Sequence, residues 1–164
     1  MKKSFIFIFL FILFAGLSFS YFNVNTYVKR CEMSVNKINL ERAYELYNKK
    51  GFIFLDVREP REINKRGTIP GAKHIPRGLL EFRINKITSN NLNTPIIIFS
   101  NSTKRASLAA FTLSKTLGYK KVYRLDGGYE AWKKRGYPTT LKKPPLKHNK
   151  PQKPIIIKKI IKRK

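Results

Sequence analysis

The stretch Ile96-Ile97-Ile98-Phe99 has no polar residue at either alternating position. A strand turns successive side chains to opposite faces of its sheet, so a run that is apolar throughout must be covered on both sides. Residues 52–57, broken only by Asp56, repeat the pattern. Two strands of this kind point to a parallel sheet with helices on both faces. The segments between them fit. Residues 40–50 follow helical spacing behind a capping Asn39, and Gly51 stops them. Residues 60–65 make a short helix closed by Gly67, and residues 72–75 a short strand between turn signals. A weaker helix is expected over residues 79–87, and a stronger one from Arg105 to the stop at Gly118. A strand over residues 121–125, a Gly127-Gly128 turn and a helix over residues 129–135 complete the series. The expected fold class is α/β, a small parallel β-sheet flanked by helices on both faces, spanning residues 33–140.

The two ends read differently. Lys2 and Lys3 precede an apolar run from Phe5 to Leu17, and Ser18 and Ser20 supply small residues spaced for an export peptidase. Residues 1–20 therefore read as a secretory signal. The competing reading is an uncleaved anchor, because Tyr21 and Phe22 extend a run that is otherwise short of the about 20 apolar residues a span needs. Either places the domain outside the cytoplasm, in a periplasmic or extracellular setting. Residues 21–32 read as a polar lead-in arm carrying Cys31, the single cysteine, so no internal disulfide forms. The preceding Val28-Lys29-Arg30 lacks a lipid-attachment pattern, and Cys31 reads as an incidental thiol on that arm.

The formal charge is +26, from 35 basic and 9 acidic residues. Much of it sits in a basic Pro/Lys-rich tail over residues 141–164. Lys142 to Lys164 holds four prolines and no acidic residue, a composition that opposes packing and favours an extended or disordered chain. Its last stretch, residues 155–164, mixes isoleucines with basic residues and suits either solvent or an anionic membrane surface. Charge alone would support only non-specific nucleic-acid contact, and export argues against that partner. Oligomeric state is left open.

Four local patterns occur in order: Leu55-Asp56-Val57-Arg58-Glu59; Gly67-Thr68-Ile69-Pro70-Gly71-Ala72; the strand–loop–helix at Ser100 to Arg105; and Leu125-Asp126-Gly127-Gly128-Tyr129-Glu130-Ala131-Trp132, followed by Gly136-Tyr137-Pro138. In this order the chain resembles the rhodanese-like (sulfurtransferase) family over residues 33–140. The resemblance implies a single rhodanese domain. Its active loop opens with a cysteine that carries sulfane sulfur as a persulfide, and closes with an arginine five positions later. Here Ser100 stands at the cysteine position and Arg105 at the arginine position. Thr103 replaces a frequent glycine, and Thr68 a frequent histidine.

The loop of Ser100, Asn101, Ser102, Thr103, Lys104 and Arg105 lies beside a helix N-terminus. There, unsatisfied N–H groups and partial positive charge favour an oxyanion or a small sulfur-containing anion. The plainer alternative is that Ser100 or Ser102 merely caps the helix. Turnover is another matter. A serine hydroxyl needs a general base to ionise, and oxygen cannot carry a sulfane sulfur. His74 reads as structural and His148 lies in the tail. Asp56 and Arg58 read as a pair tying loops together, Gly127 and Gly128 as a tight turn approaching the active loop, and Trp132 as core. No cofactor or metal site is expected. Three functions stay open at this point: an anion or partner-binding pseudoenzyme, an active sulfurtransferase or hydrolase, and a membrane-surface protein acting through its tail.

Overall fold

The computed structural model describes residues 23–140; the expected leader at residues 1–20 and tail at residues 141–164 lie outside the described residues. The elements are α1 (Val24–Ser34), β1 (Lys37–Ile38), α2 (Leu40–Lys49), β2 (Ile53–Asp56), α3 (Pro60–Arg66), β3 (Lys73–His74), a single 3-10 turn (Arg77–Leu79), α4 (Leu80–Thr88), β4 (Ile96–Phe99), α5 (Thr103–Phe111) continuing into a π-helical turn (Thr112–Thr116), β5 (Val122–Leu125) and α6 (Gly128–Lys134). The five strands form one sheet in the order β1-β5-β4-β2-β3. Every pairing is parallel. The expected fold class is what the chain adopts.

The apolar runs explain the layers. Leu55, Ile96, Ile98 and Val122 face one side, where Leu80 and Ile84 of α4 and Ala106, Ala109 and Ala110 of α5 cover them. Phe54, Ile97, Phe99 and Leu125 face the other, against Ala43 of α2 and Tyr129 and Trp132 of α6. Trp132 is fully buried. Tyr44, Tyr47, Phe54 and Tyr137 ring it edge-on, and its indole N–H donates to the Pro138 carbonyl at 2.9 Å. The sequence-based reading of this residue as core is thus what the packing shows.

The lead-in segment departs from expectation. Residues 24–34 are helical, begun by the Asn23 side chain accepting from the Asn25 N–H. α1 packs along α5. Tyr27 meets Phe111 edge-on with ring centroids 6.1 Å apart, and Cys31 is fully buried rather than exposed on an arm. The helix arises because Tyr27, Cys31 and Val35 recur every fourth residue and so share one helix face. The small side chains of α5 leave that face room to approach. Among the described residues, no helix is long and apolar enough to cross a membrane.

The chain path also marks a site. β2 continues to β3 on one side of the sheet, whereas β4 continues to β5 on the other. The connections leaving the carboxyl ends of the neighbouring strands β2 and β4 therefore diverge. Ligands of open α/β sheets settle in such a crevice.

Candidate functional site

The loop following β4 fills that crevice. α5 begins at Thr103, two residues earlier than its spacing suggested. Ser100, Asn101 and Ser102 are thus the loop proper, while Thr103, Lys104 and Arg105 form the first helical turn. Ser102 occupies the capping position, but its side chain makes no capping bond. The hydroxyl of Ser100 instead donates to the Ser102 carbonyl. Capping therefore does not account for either serine. The N–H groups of the first helical turn have no partner within the helix by construction, and no loop bond among the described residues takes a proton from the backbone of residues 101–105. Donors of this kind, with a helix dipole behind them, favour negative charge.

Beneath the loop lies a buried ion pair. Asp56 ends β2 and Arg58 follows two residues later, both fully buried. One carboxylate oxygen of Asp56 accepts the Arg58 Nη2–H at 2.6 Å, and the other the Arg58 backbone N–H at 3.0 Å. The Arg58 Nε–H bridges both oxygens at 2.9 and 3.1 Å. The Thr68 hydroxyl donates to the same carboxylate at 2.6 Å. Arg58 then reaches outward: Nη2 donates to the Gly67 carbonyl at 2.7 Å and Nη1 to Asn101 Oδ1 at 3.1 Å. The Tyr129 ring lies over its guanidinium, with the centroid 4.0 Å from Cζ. Asp56 and Arg58 thus tie three loops together, as their position after a buried strand suggested. His74 belongs to the same scaffold. Its Nε2 sits 2.8 Å from the Arg58 carbonyl, which can only accept, so that nitrogen carries the proton.

Gly127 and Gly128 both have positive φ, at 69° and 62°. A Cβ on Gly128 would stand 2.3 Å from the Ser100 carbonyl oxygen, which accepts the Tyr129 N–H at 2.9 Å. Glycine here lets the β5–α6 turn grip the head of the loop. Gly128→Ala is expected to push the loop aside and to cost about 1–3 kcal/mol, the scale of a strained backbone position. Urea denaturation measures that cost; a change within experimental error would show that the contact is slack.

Arg105 is held by a carboxylate. Its Nη1 donates to Glu62 Oε2 at 2.5 Å. Glu62 lies in the first turn of α3, where the same oxygen accepts the Glu59 N–H at 2.8 Å, a reciprocal cap. Its other oxygen accepts the Asn101 Nδ2–H at 2.7 Å. Partial burial pushes the Glu62 carboxyl upward. The hydrogen bonds from Arg105 and from the Glu59 backbone, with the charges of Arg105 and Arg58, outweigh that and hold it below its usual value. The stabilisation is full above the ordinary glutamate pKa and fades as pH falls through the lowered one. Thr103 turns away from the loop, its hydroxyl 3.4 Å from Glu32 Oε1 of α1, while Lys104 is exposed. Sequence reasoning missed Glu62 and its link to Asn101. The Glu59-x-x-Glu62 spacing signals the cap, but not the contact with Arg105, 43 residues away.

The family profile for the rhodanese-like domain matches residues 39–135. The chain belongs to the rhodanese-like domain family. Among relatives of this rhodanese-like domain, the thiosulfate sulfurtransferase GlpE of Pseudomonas putida is 30% identical over 99 residues, covering 59% of this chain and 84% of that one. YrkF of Bacillus subtilis is 37% identical over 100 residues, covering 60% of this chain; the chain spans about half of that relative, 51% of its length. Among solved structures, the polysulfide-sulfur transferase homodimer of Wolinella succinogenes aligns with a TM-score of 0.64 at 28% identity, over 75% of this chain and 90% of that one.

Proposed function

We propose that this rhodanese-like domain is exported and binds an oxyanion or an anionic partner in the loop from Ser100 to Arg105, without transferring sulfur. One observation carries the reading: the residue opening the loop is a buried serine, whose proton goes to the Ser102 carbonyl. That carbonyl is no general base, and the described histidine, His74, is committed to Arg58. Cys31 is a buried residue of α1, the helix that packs on α5, and lies outside the loop. The chain nevertheless keeps what an anion needs: a helix N-terminus, free loop donors and nearby cations. The leader supports export, and the basic tail supplies a second contact for an anionic surface.

The second reading, an active sulfurtransferase, draws on the activities named for the Pseudomonas and Wolinella relatives. An NMR titration of the full chain with sulfate at fixed ionic strength tests the proposal. Saturable shifts are expected at the backbone N–H groups of residues 101–105. Shifts that are absent, or scattered over surface lysines, would overturn it.

A further inference from the structure

The anion loop already holds an anion of its own. The Glu62 carboxylate accepts from Arg105 with one oxygen and from Asn101 with the other, and Asn101 in turn accepts from Arg58. Glu62 therefore engages both a loop side chain and the first-turn guanidinium that an incoming anion would use. It is also placed to let go. Glu62 and Arg105 are partly exposed, with 23% and 33% of their side-chain surfaces open. Glu62 and Asn101 line a cleft of about 360 Å³ together with Arg61, Lys65 and Arg66. Arg66 is paired with Glu130. Arg61 and Lys65 are exposed and form no ion pair among the described residues. Positive charge thus surrounds the resident carboxylate on the solvent side, where a ligand would arrive.

We propose that Glu62 is a built-in competitor for the anion loop, holding Arg105 and Asn101 until a doubly charged tetrahedral oxyanion entering past Arg61 and Lys65 takes Arg105 from it. This rests on the anion-binding reading above. A singly charged ligand offers Arg105 no more charge than the carboxylate it replaces. A dianion offers more, and gains the unpaired cations of α3 as well. Glu62 then sets the selectivity of the loop and keeps it closed when the ligand is absent.

Sulfate is the probe, titrated into the full chain and into Glu62→Gln at fixed ionic strength. Glutamine keeps one acceptor oxygen, enough for the Glu59 N–H, gives up the second oxygen that serves Asn101, and removes the competing charge. The variant is expected to bind sulfate about fivefold more tightly, the gain from releasing one partly exposed ion pair. Adding Arg105→Gln to it should abolish that gain. In the unaltered chain, the side-chain N–H signal of Arg105 should move with sulfate while that of Arg58 stays in place. This readout decides the question even where Glu62→Gln fails to fold. Sulfate binding in the loop with equal or weaker affinity for the variant, or with Arg105 unmoved, would overturn the competitor role and leave the anion-binding reading standing. No binding by either protein would remove both.

Discussion

Ser100→Cys is expected to raise thiosulfate–cyanide turnover at least about tenfold above the native chain, because a low-pKa thiolate would then open the loop. The chemistry follows from the surroundings. A thiol of pKa about 8.5 is lowered toward neutrality by a helix N-terminus and adjacent cations; α5 and Arg105 supply both here. The thiolate would attack the outer sulfur of thiosulfate, expel sulfite and keep the sulfane sulfur as a persulfide, which cyanide removes as thiocyanate. The hydroxyl of Ser100 can enter none of these steps. Native-level turnover in Ser100→Cys, with a folded spectrum and intact sulfate binding, would show that the loop's shape and not its first atom had ended the chemistry.

The largest stability loss is expected at Arg58. Arg58→Ala leaves the Asp56 carboxylate fully buried with the Thr68 hydroxyl as its remaining side-chain donor. It also orphans the Gly67 carbonyl and Asn101 Oδ1. Breaking a buried pair by removing one partner costs about 3–5 kcal/mol. Urea denaturation of the full chain should show a loss of that size. Arg58→Lys should recover only part of it, because an ammonium cannot meet both carboxylate oxygens and two further acceptors from one planar group. A loss below about 1 kcal/mol, the worth of an exposed pair, would mean that the guanidinium does not bind the three loops together. The same variant should loosen the loop from Ser100 to Arg105, since Asn101 loses the donor that orients its amide.

Much of this architecture could be read before the coordinates, for identifiable reasons. Ile96 to Phe99 is apolar at every position, and only a strand covered on both faces tolerates that. The glycines at 67, 118 and 136 all have positive φ and stand near the helix ends expected of them. Asp56 and Arg58 are two residues apart, so their pairing is local. The misses have physical causes too. α1 is polar enough to pass for an arm. Its helicity comes from one stripe laid on α5, a tertiary effect that composition hides. β1 has two residues and exists only because β5 offers it an edge. The Glu62–Arg105 pair is closed by topology, which brings the diverging connections after β2 and β4 together. No spacing rule within either segment signals it. Arg105 reads from the sequence as a loop cation at the family arginine position, and its carboxylate partner comes only with the fold.

The central claim is that oxygen stands where this loop's chemistry requires sulfur. Peptide-level mass spectrometry of the native chain, taken during incubation with thiosulfate and cyanide, tests it most directly. The account predicts no thiocyanate above background and no peptide gaining a sulfur atom, including the peptide that holds Cys31. Thiocyanate formation accompanied by a sulfur adduct on the native chain would contradict it.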